Sequence, residues 1–138
     1  LPVALAQDGA VPRPGHVYLP PDGHDLELDE RGLLRAPRAG GVHRPSANRL
    51  LHSLARACGA RAGGVVLTGM GDDGAQGLLA IRNAGGPTYA QDEATCIVFG
   101  MPQAALALGA TSSLIPLDAV AWAILRHAGV TTAGSRGA

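Results

Sequence analysis

Residues 63–86 read GGVVLTGMGDDGAQGLLAIRNAGG, and this stretch decides the fold. GGVVLT is short and apolar, as a strand covered on both faces of a parallel sheet must be. GMGDDG is dense in turn formers. AQGLLAIRNA then carries apolar residues at helical spacing until two glycines stop it. The rhythm continues downstream: PTYAQ (87–91) reads as a second strand, and residues 92–110 read as helical on either side of Pro102. SLIP (113–116) is a third strand, and DAVAWAILRHAG (118–129) is a helix with Asp118 as its expected cap. Strands alternating with helices require a parallel sheet with helices on its faces.

Working back toward the N-terminus, HVYLPP (16–21) is a strand stopped by a Pro-Pro-Asp-Gly turn, and DLELDERGLLRA (25–36) alternates as a hairpin around Arg31-Gly32. Residues 38–45 are loop. Ser46 opens a helix with Leu50, Leu51, Leu54, Ala55 and Cys58 on one face and Gly59 as its stop. The expected organisation is one domain over residues 1–130 with a flexible Gly/Ser/Thr-rich tail at 131–138. The fold class is α/β, a three-layer doubly wound and mostly parallel sheet with a small β-hairpin, incomplete on its N-terminal side.

Composition narrows the function. Of 138 residues 46% are hydrophobic and 16% charged, which suits a compact core. Eleven arginines, with no lysine, balance eleven acidic residues, so no basic footprint for nucleic acid exists. Cys58 and Cys96 form no CxxC pair and read as buried thiols of a reducing compartment. The opening LPVALAQDGAVPRPG is broken by prolines and has no basic signal-peptide region, and no apolar run approaches the ~20 residues of a membrane span. A cytoplasmic protein without membrane insertion is expected.

In a parallel sheet, chemistry sits beyond the carboxyl ends of the strands, so the loop after GGVVLT carries the most weight. Gly69-Met70-Gly71-Asp72-Asp73-Gly74 satisfies G-x-G-x-x-G, and Asp92 stands about where a ribose-binding acid would. Two carboxylates in the turn argue against a dinucleotide, because they occupy or repel the pyrophosphate site at the helix N-terminus. The structural reading of Asp73 is an N-cap of the following helix, with Gln76 completing a capping box and Asp72 solvated. His16, His24, His52 and His127 form no HxxxH or HxH metal pair and read as structural. No metal or cofactor is expected. Among the serines, Ser46 starts a helix, Ser53 lies within one, Ser112 and Ser113 precede a strand and Ser135 is in the tail. None sits in a nucleophile elbow.

HVYLPPDGHDLEL, HRPS, the TGMGDDG turn and QDEATCIVFGMP, in this order along the chain within residues 15–129, resemble the catalytic domain of the chemotaxis protein-glutamate methylesterase (CheB) family. That resemblance implies hydrolysis of γ-glutamyl methyl esters on methyl-accepting chemotaxis receptors by a serine-histidine-aspartate triad, together with deamidation of receptor glutamines. It implies that Asp73 is the triad acid and that Met70, with Gly71, lies where the reacting carbonyl is stabilised. His43 and Arg44 of the HRPS segment would face the substrate. The family's serine and histidine belong to segments upstream of those matched, so this chain by itself is expected to be inactive. A receiver domain is an expected partner in the full-length protein. The competing readings are a non-catalytic receptor-interaction module and a dinucleotide-binding domain.

Overall fold

The computed structural model describes residues 1–129. The expected tail at 131–138 lies outside them. Four helices and seven short strands follow the order β1 (Val3–Leu5), β2 (Val17–Leu19), β3 (Glu27–Leu28), β4 (Leu34–Arg35), α1 (Ala47–Cys58), β5 (Gly64–Val66), α2 (Ala75–Asn83), β6 (Thr88–Gln91), α3 (Gly100–Leu108), β7 (Leu114–Ile115) and α4 (Val120–His127).

Strands β5, β6 and β7 form a parallel sheet in that order, with α2 and α3 as the crossovers. Alternation along a strand sends successive side chains to opposite faces. Val66 and Ala90 bury against Leu51 of α1, Leu78 and Ile81 of α2 and Ala105 of α3. Leu78 and Ile81 are fully buried, each worth about 1.5–3 kcal/mol against exposure. The opposite face presents Val65, Tyr89 and Ile115 to Val120, Ala123 and Ile124 of α4. Helices α1, α2 and α3 thus pack one face of the parallel sheet, and α4 only partly covers the other, where Val65, Tyr89 and Ile115 stay half-buried.

A second, smaller core of Ala6, Leu26 and Leu34 is completed by Tyr18, Leu28 and Leu50. Helix α1 joins the two cores, Leu51 entering one and Leu50 the other. Buried Ser53 ties it to the hairpin, its hydroxyl accepting the Leu28 N–H (3.0 Å) and donating to Leu50 O (2.7 Å).

The hairpin β3–β4 forms as expected, with Gly32 at φ +81° closing its turn. Asp29 organises it, one carboxylate oxygen accepting the Arg31 and Leu33 amides and the other accepting Arg35 Nε, all at 2.9 Å. The Leu33 amide, then the Arg35 side chain and the Arg31 amide, hold the Asp29 carboxyl below its ordinary 3.8 despite an opposing desolvation effect. A depressed folded value means that the stabilisation is present above pH 3.8 and lost as pH falls through the lower value. An NMR titration of Asp29 is expected to give a midpoint below 3.8, and Arg35→Gln should move it upward. A midpoint unchanged by Arg35→Gln would remove the guanidinium from this account.

Four local expectations are corrected. The proline-broken opening contains β1, which pairs in parallel with β2 (Val3↔Val17, Leu5↔Leu19). Residues before Pro102 are not one helix: Glu93–Thr95 is a single 3-10 turn, and α3 starts at Gly100, so Pro102 sits in its first turn, where a missing N–H costs nothing. Asp118 does not cap α4. It lies in the 3-10 turn Leu117–Ala119, and no side chain caps the helix start. Cys58 and Cys96 are half-buried rather than buried.

Candidate active site

The turn after β5 is clamped on one side by the segment leading into α3. Thr68 Oγ1 accepts the Ile97 and Val98 amides (3.1 and 2.8 Å) and donates to Val98 O (3.1 Å). The Gly69 amide reaches the same carbonyl, while Gly69 O accepts the Gly100 and Met101 amides at 3.1 and 2.9 Å. Gly100 is glycine because a Cβ there would stand 2.6 Å from Gly69 O. The chain then swings outward through Gly71 at φ +83°, leaving Met70 81% exposed at the tip, and the Met70 and Gly71 amides find no acceptor among the described residues.

Asp73 turns inward and is only 7% exposed. Its Oδ2 accepts the Ala47 amide at 2.7 Å, its Oδ1 accepts the Asn48 amide at 3.2 Å, and the Ser46 hydroxyl donates to Oδ1 at 3.5 Å. Asp73 is therefore a cap, but of α1 and not of the helix that follows it. Helix α2 has Gly74 (φ +95°) at its N-cap with no side-chain bond, and Gln76 is exposed, so the expected capping box does not form. Asn48 reciprocates: its Oδ1 accepts the Gly74 and Gly77 amides at 3.0 and 2.8 Å. Each helix start is satisfied by a side chain from the other, which is affordable only because Gly77 lets α1 approach closely; a Cβ there would lie 2.6 Å from that of Leu51.

The HRPS loop arrives at the same place. His43 Nε2 stands 3.9 Å from Asp72 Oδ1, both groups well exposed. Arg44 does not point into the site; its Nε donates to Gly41 O at 2.8 Å. Behind the loop, Asp25, 1% exposed, accepts the Ser46 amide (2.8 Å) and Arg49 Nη1 (3.1 Å), and Arg49 also pairs with Glu27. The Glu27 bond, ahead of those to Asp25, raises the Arg49 pKa above its ordinary value. Two carboxylates, of Asp25 and Asp73, thus accept successive amides at the start of α1, an anion-favouring place by virtue of the helix dipole.

A family model for CheB methylesterase matches residues 1–124. The chain belongs to the CheB methylesterase family. It is 56% identical over 126 residues to the protein-glutamate methylesterase/protein-glutamine glutaminase 3 of Myxococcus xanthus, covering 91% of this chain and 36% of that protein. It is 45% identical over 141 residues to the corresponding protein 2 of Pseudomonas aeruginosa, covering 99% and 40%. Among solved structures, the Thermotoga maritima CheB methylesterase catalytic domain superposes with a TM-score of 0.81 at 29% identity, over 88% of this chain and 67% of that one. The chain spans about two fifths of the length of these curated relatives.

Within this CheB domain the dinucleotide reading has no physical room. The α2 amides that would hold a pyrophosphate are occupied by Asn48, and Asp92, the candidate ribose acid, caps its own 3-10 turn by accepting the Thr95 amide (3.0 Å) and hydroxyl (2.6 Å). Of the histidines read as structural, His16, His24 and His127 each bond a main-chain carbonyl, of Pro14, Asp22 and Arg61. Among the described residues no serine hydrogen-bonds a histidine, no three His, Cys, Asp or Glu side chains cluster as metal ligands, and no helix is long and apolar enough to cross a membrane.

Sequence reasoning missed Asn48 and Asp25. Asn48 lies in the first turn of α1 and Asp25 just before β3, where local spacing points to local partners, yet their hydrogen bonds reach elements more than twenty residues away.

Proposed function

We propose that these residues form part of a protein-glutamate methylesterase, in which Asp73 is the acid of a serine-histidine-aspartate triad. The observation that carries this is the buried Asp73 carboxylate at the carboxyl end of β5, fixed by two amides of α1 beside a turn whose Met70 and Gly71 amides are free. A carboxylate so held can keep a histidine in one tautomer and stabilise the imidazolium formed as serine is deprotonated. Amides at an exposed turn can stabilise the oxyanion of a tetrahedral intermediate. The net reaction takes water and a γ-glutamyl methyl ester to glutamate and methanol. Attack on a carboxamide by the same route gives glutamate and ammonia, in keeping with the glutaminase activity named for the relatives.

The substrates are methyl-accepting chemotaxis receptors, met on the cytoplasmic side. His43, beside Asp72 at the rim, is the substrate-facing residue of the HRPS loop, with Arg44 holding the loop through Gly41 O, and a receiver domain in the full-length gene product governs access. Serine and histidine are supplied by residues outside this chain. Methylated receptor in membranes, incubated with the full-length gene product, is expected to release methanol, and the 138-residue polypeptide alone should release none above background. A full-length product that binds receptor but releases no methanol would instead favour the non-catalytic interaction module.

A further inference from the structure

Gln91, the last residue of β6, is 1% exposed, yet it lines no part of the turn that bears Met70 and Asp73. Its side chain is fully engaged. Oε1 accepts the Thr68 amide at 2.8 Å, and Nε2 donates to Thr95 O at 2.8 Å and to Thr95 Oγ1 at 3.2 Å. The pairing of β5 with β6 runs only as far as Val66↔Ala90. Beyond it, where the chain leaves the sheet, the Gln91 amide stands in for the missing strand carbonyl and holds Thr68 one residue before the turn begins.

The same side chain fixes the other half of the clamp. Thr95, gripped by Nε2, heads the segment whose Ile97, Val98, Gly100 and Met101 main-chain groups bond Thr68 and Gly69. Thr95 Oγ1 also accepts the Leu117 amide (3.2 Å) and donates to Asp92. One buried amide therefore sets the place of both strands of the clamp, and with them the outward swing at Met70 and the inward swing at Asp73.

We propose that Gln91 is a positioning residue for the ester hydrolysis, acting through Thr68 and Thr95 to hold the Met70 amide and the Asp73 carboxylate in register. This rests on the methylesterase reading above. Only an amide suits the position: it must accept from an N–H on one side and donate to a carbonyl on the other, while an ionised carboxylate can only accept and a thioether does neither usefully. Misplacement of reacting groups by a fraction of an ångström to one ångström is enough to cost ~10- to 100-fold in turnover.

The test uses the full-length gene product and methanol release from methylated receptor. Gln91→Met is expected to lower kcat by about 10- to 100-fold with KM within about twofold, because no substrate contact is touched. Gln91→Glu supplies a readout that a merely structural role would not move. The introduced carboxyl is buried and shares Thr95 with Asp92, so its ionisation is disfavoured. Once protonated it can donate to Thr95 O and accept from Thr68 as the amide does. The ratio of Gln91→Glu to wild-type kcat should therefore climb about fivefold or more between about pH 8 and pH 6.

Thr111→Val is the control for lost stability. It removes a buried hydrogen bond to Thr88 O (2.8 Å) at the other end of β6 and should keep wild-type kcat on the folded protein. A flat pH ratio, a Gln91→Met kcat equal to wild type, or an equal kcat loss in Thr111→Val overturns the positioning role while leaving the methylesterase reading intact. If neither Gln91 variant folds while Thr111→Val does, Gln91 is a folding residue and the proposal also fails. Wild-type protein without activity removes the reading itself.

Discussion

Gly86→Ala is expected to prevent the domain from holding its native fold at 25 °C. Gly86 is buried at the entry to β6, and a Cβ built on it would stand 1.9 Å from Ala62 O and 3.0 Å from Ile81 Cγ2. The first of these atoms is main chain and has no rotamer by which to withdraw. Relief requires residues 62–64 to move off residues 86–88, and that breaks the Gly64 N–H to Pro87 O bond (3.0 Å) and the Gly64↔Thr88 register that starts the β5–β6 ladder. Overpacking alone costs about 1–3 kcal/mol, and loss of the ladder takes the total past about 4 kcal/mol, a large part of the ~5–15 kcal/mol that holds a typical domain together. Gly40→Ala is the comparison: its Cβ meets nothing within 4 Å and its φ is ordinary, so it should stay within about 0.5 kcal/mol of wild type. Urea unfolding of the full-length gene product, followed by circular dichroism, distinguishes the two. Coincident transitions for Gly86→Ala and wild type would show that the 62–64 segment yields easily.

The difference between Gly86 and Asp73 shows what the sequence makes legible. Strand β5, helix α2 and strand β6 are readable because their signals are local: an apolar run, helical spacing, paired glycines. Glycine as a helix stop is such a signal, but the same residue's close approach to Ala62 is not, since it depends on how two strands meet. Asp73 is the sharper case. Its spacing to Gln76 matches a capping box, and by local rules it should cap α2. Gly74, at φ +95°, turns the chain so that the carboxylate leaves α2 and meets α1, and the partner amide belongs to a residue 26 positions earlier. No pattern within a window of a few residues contains that contact. Strand β1 escaped for a related reason. It is three residues long, preceded by Pro2, with Val3 and Leu5 more than half exposed, so it shows no inward alternation and exists as a strand only through β2. The motif resemblance drew attention to Asp73 as more than a cap, and the geometry of its two amides explains what kind of cap it is.

That geometry changes what Asp73→Asn should do. Local capping rules say that asparagine caps about as well as aspartate, which predicts almost no change in stability. Here both carboxylate oxygens accept main-chain amides, Oδ2 from Ala47 and Oδ1 from Asn48, in a 7%-exposed setting. Asparagine offers one oxygen and, in place of the other, an NH2 that faces an N–H. One buried donor loses its acceptor, and the expected cost is about 1–3 kcal/mol, a fall of several degrees in Tm. Turnover should fall much further. A neutral amide neither stabilises an imidazolium nor enforces the tautomer that a serine needs, and the loss in kcat for methanol release is expected at roughly 10²–10⁴-fold. Ser53→Ala separates the two effects. It empties a buried hydrogen bond between α1 and the hairpin, away from the turn, so it should lose comparable stability while retaining wild-type kcat. If Asp73→Asn and Ser53→Ala lose stability alike and both keep near-normal turnover on folded protein, Asp73 is only the cap of α1. If Asp73→Asn keeps its stability, the paired-amide geometry is wrong. The triad assignment requires the remaining combination: a modest stability loss shared with Ser53→Ala, and a collapse in kcat that Ser53→Ala does not share.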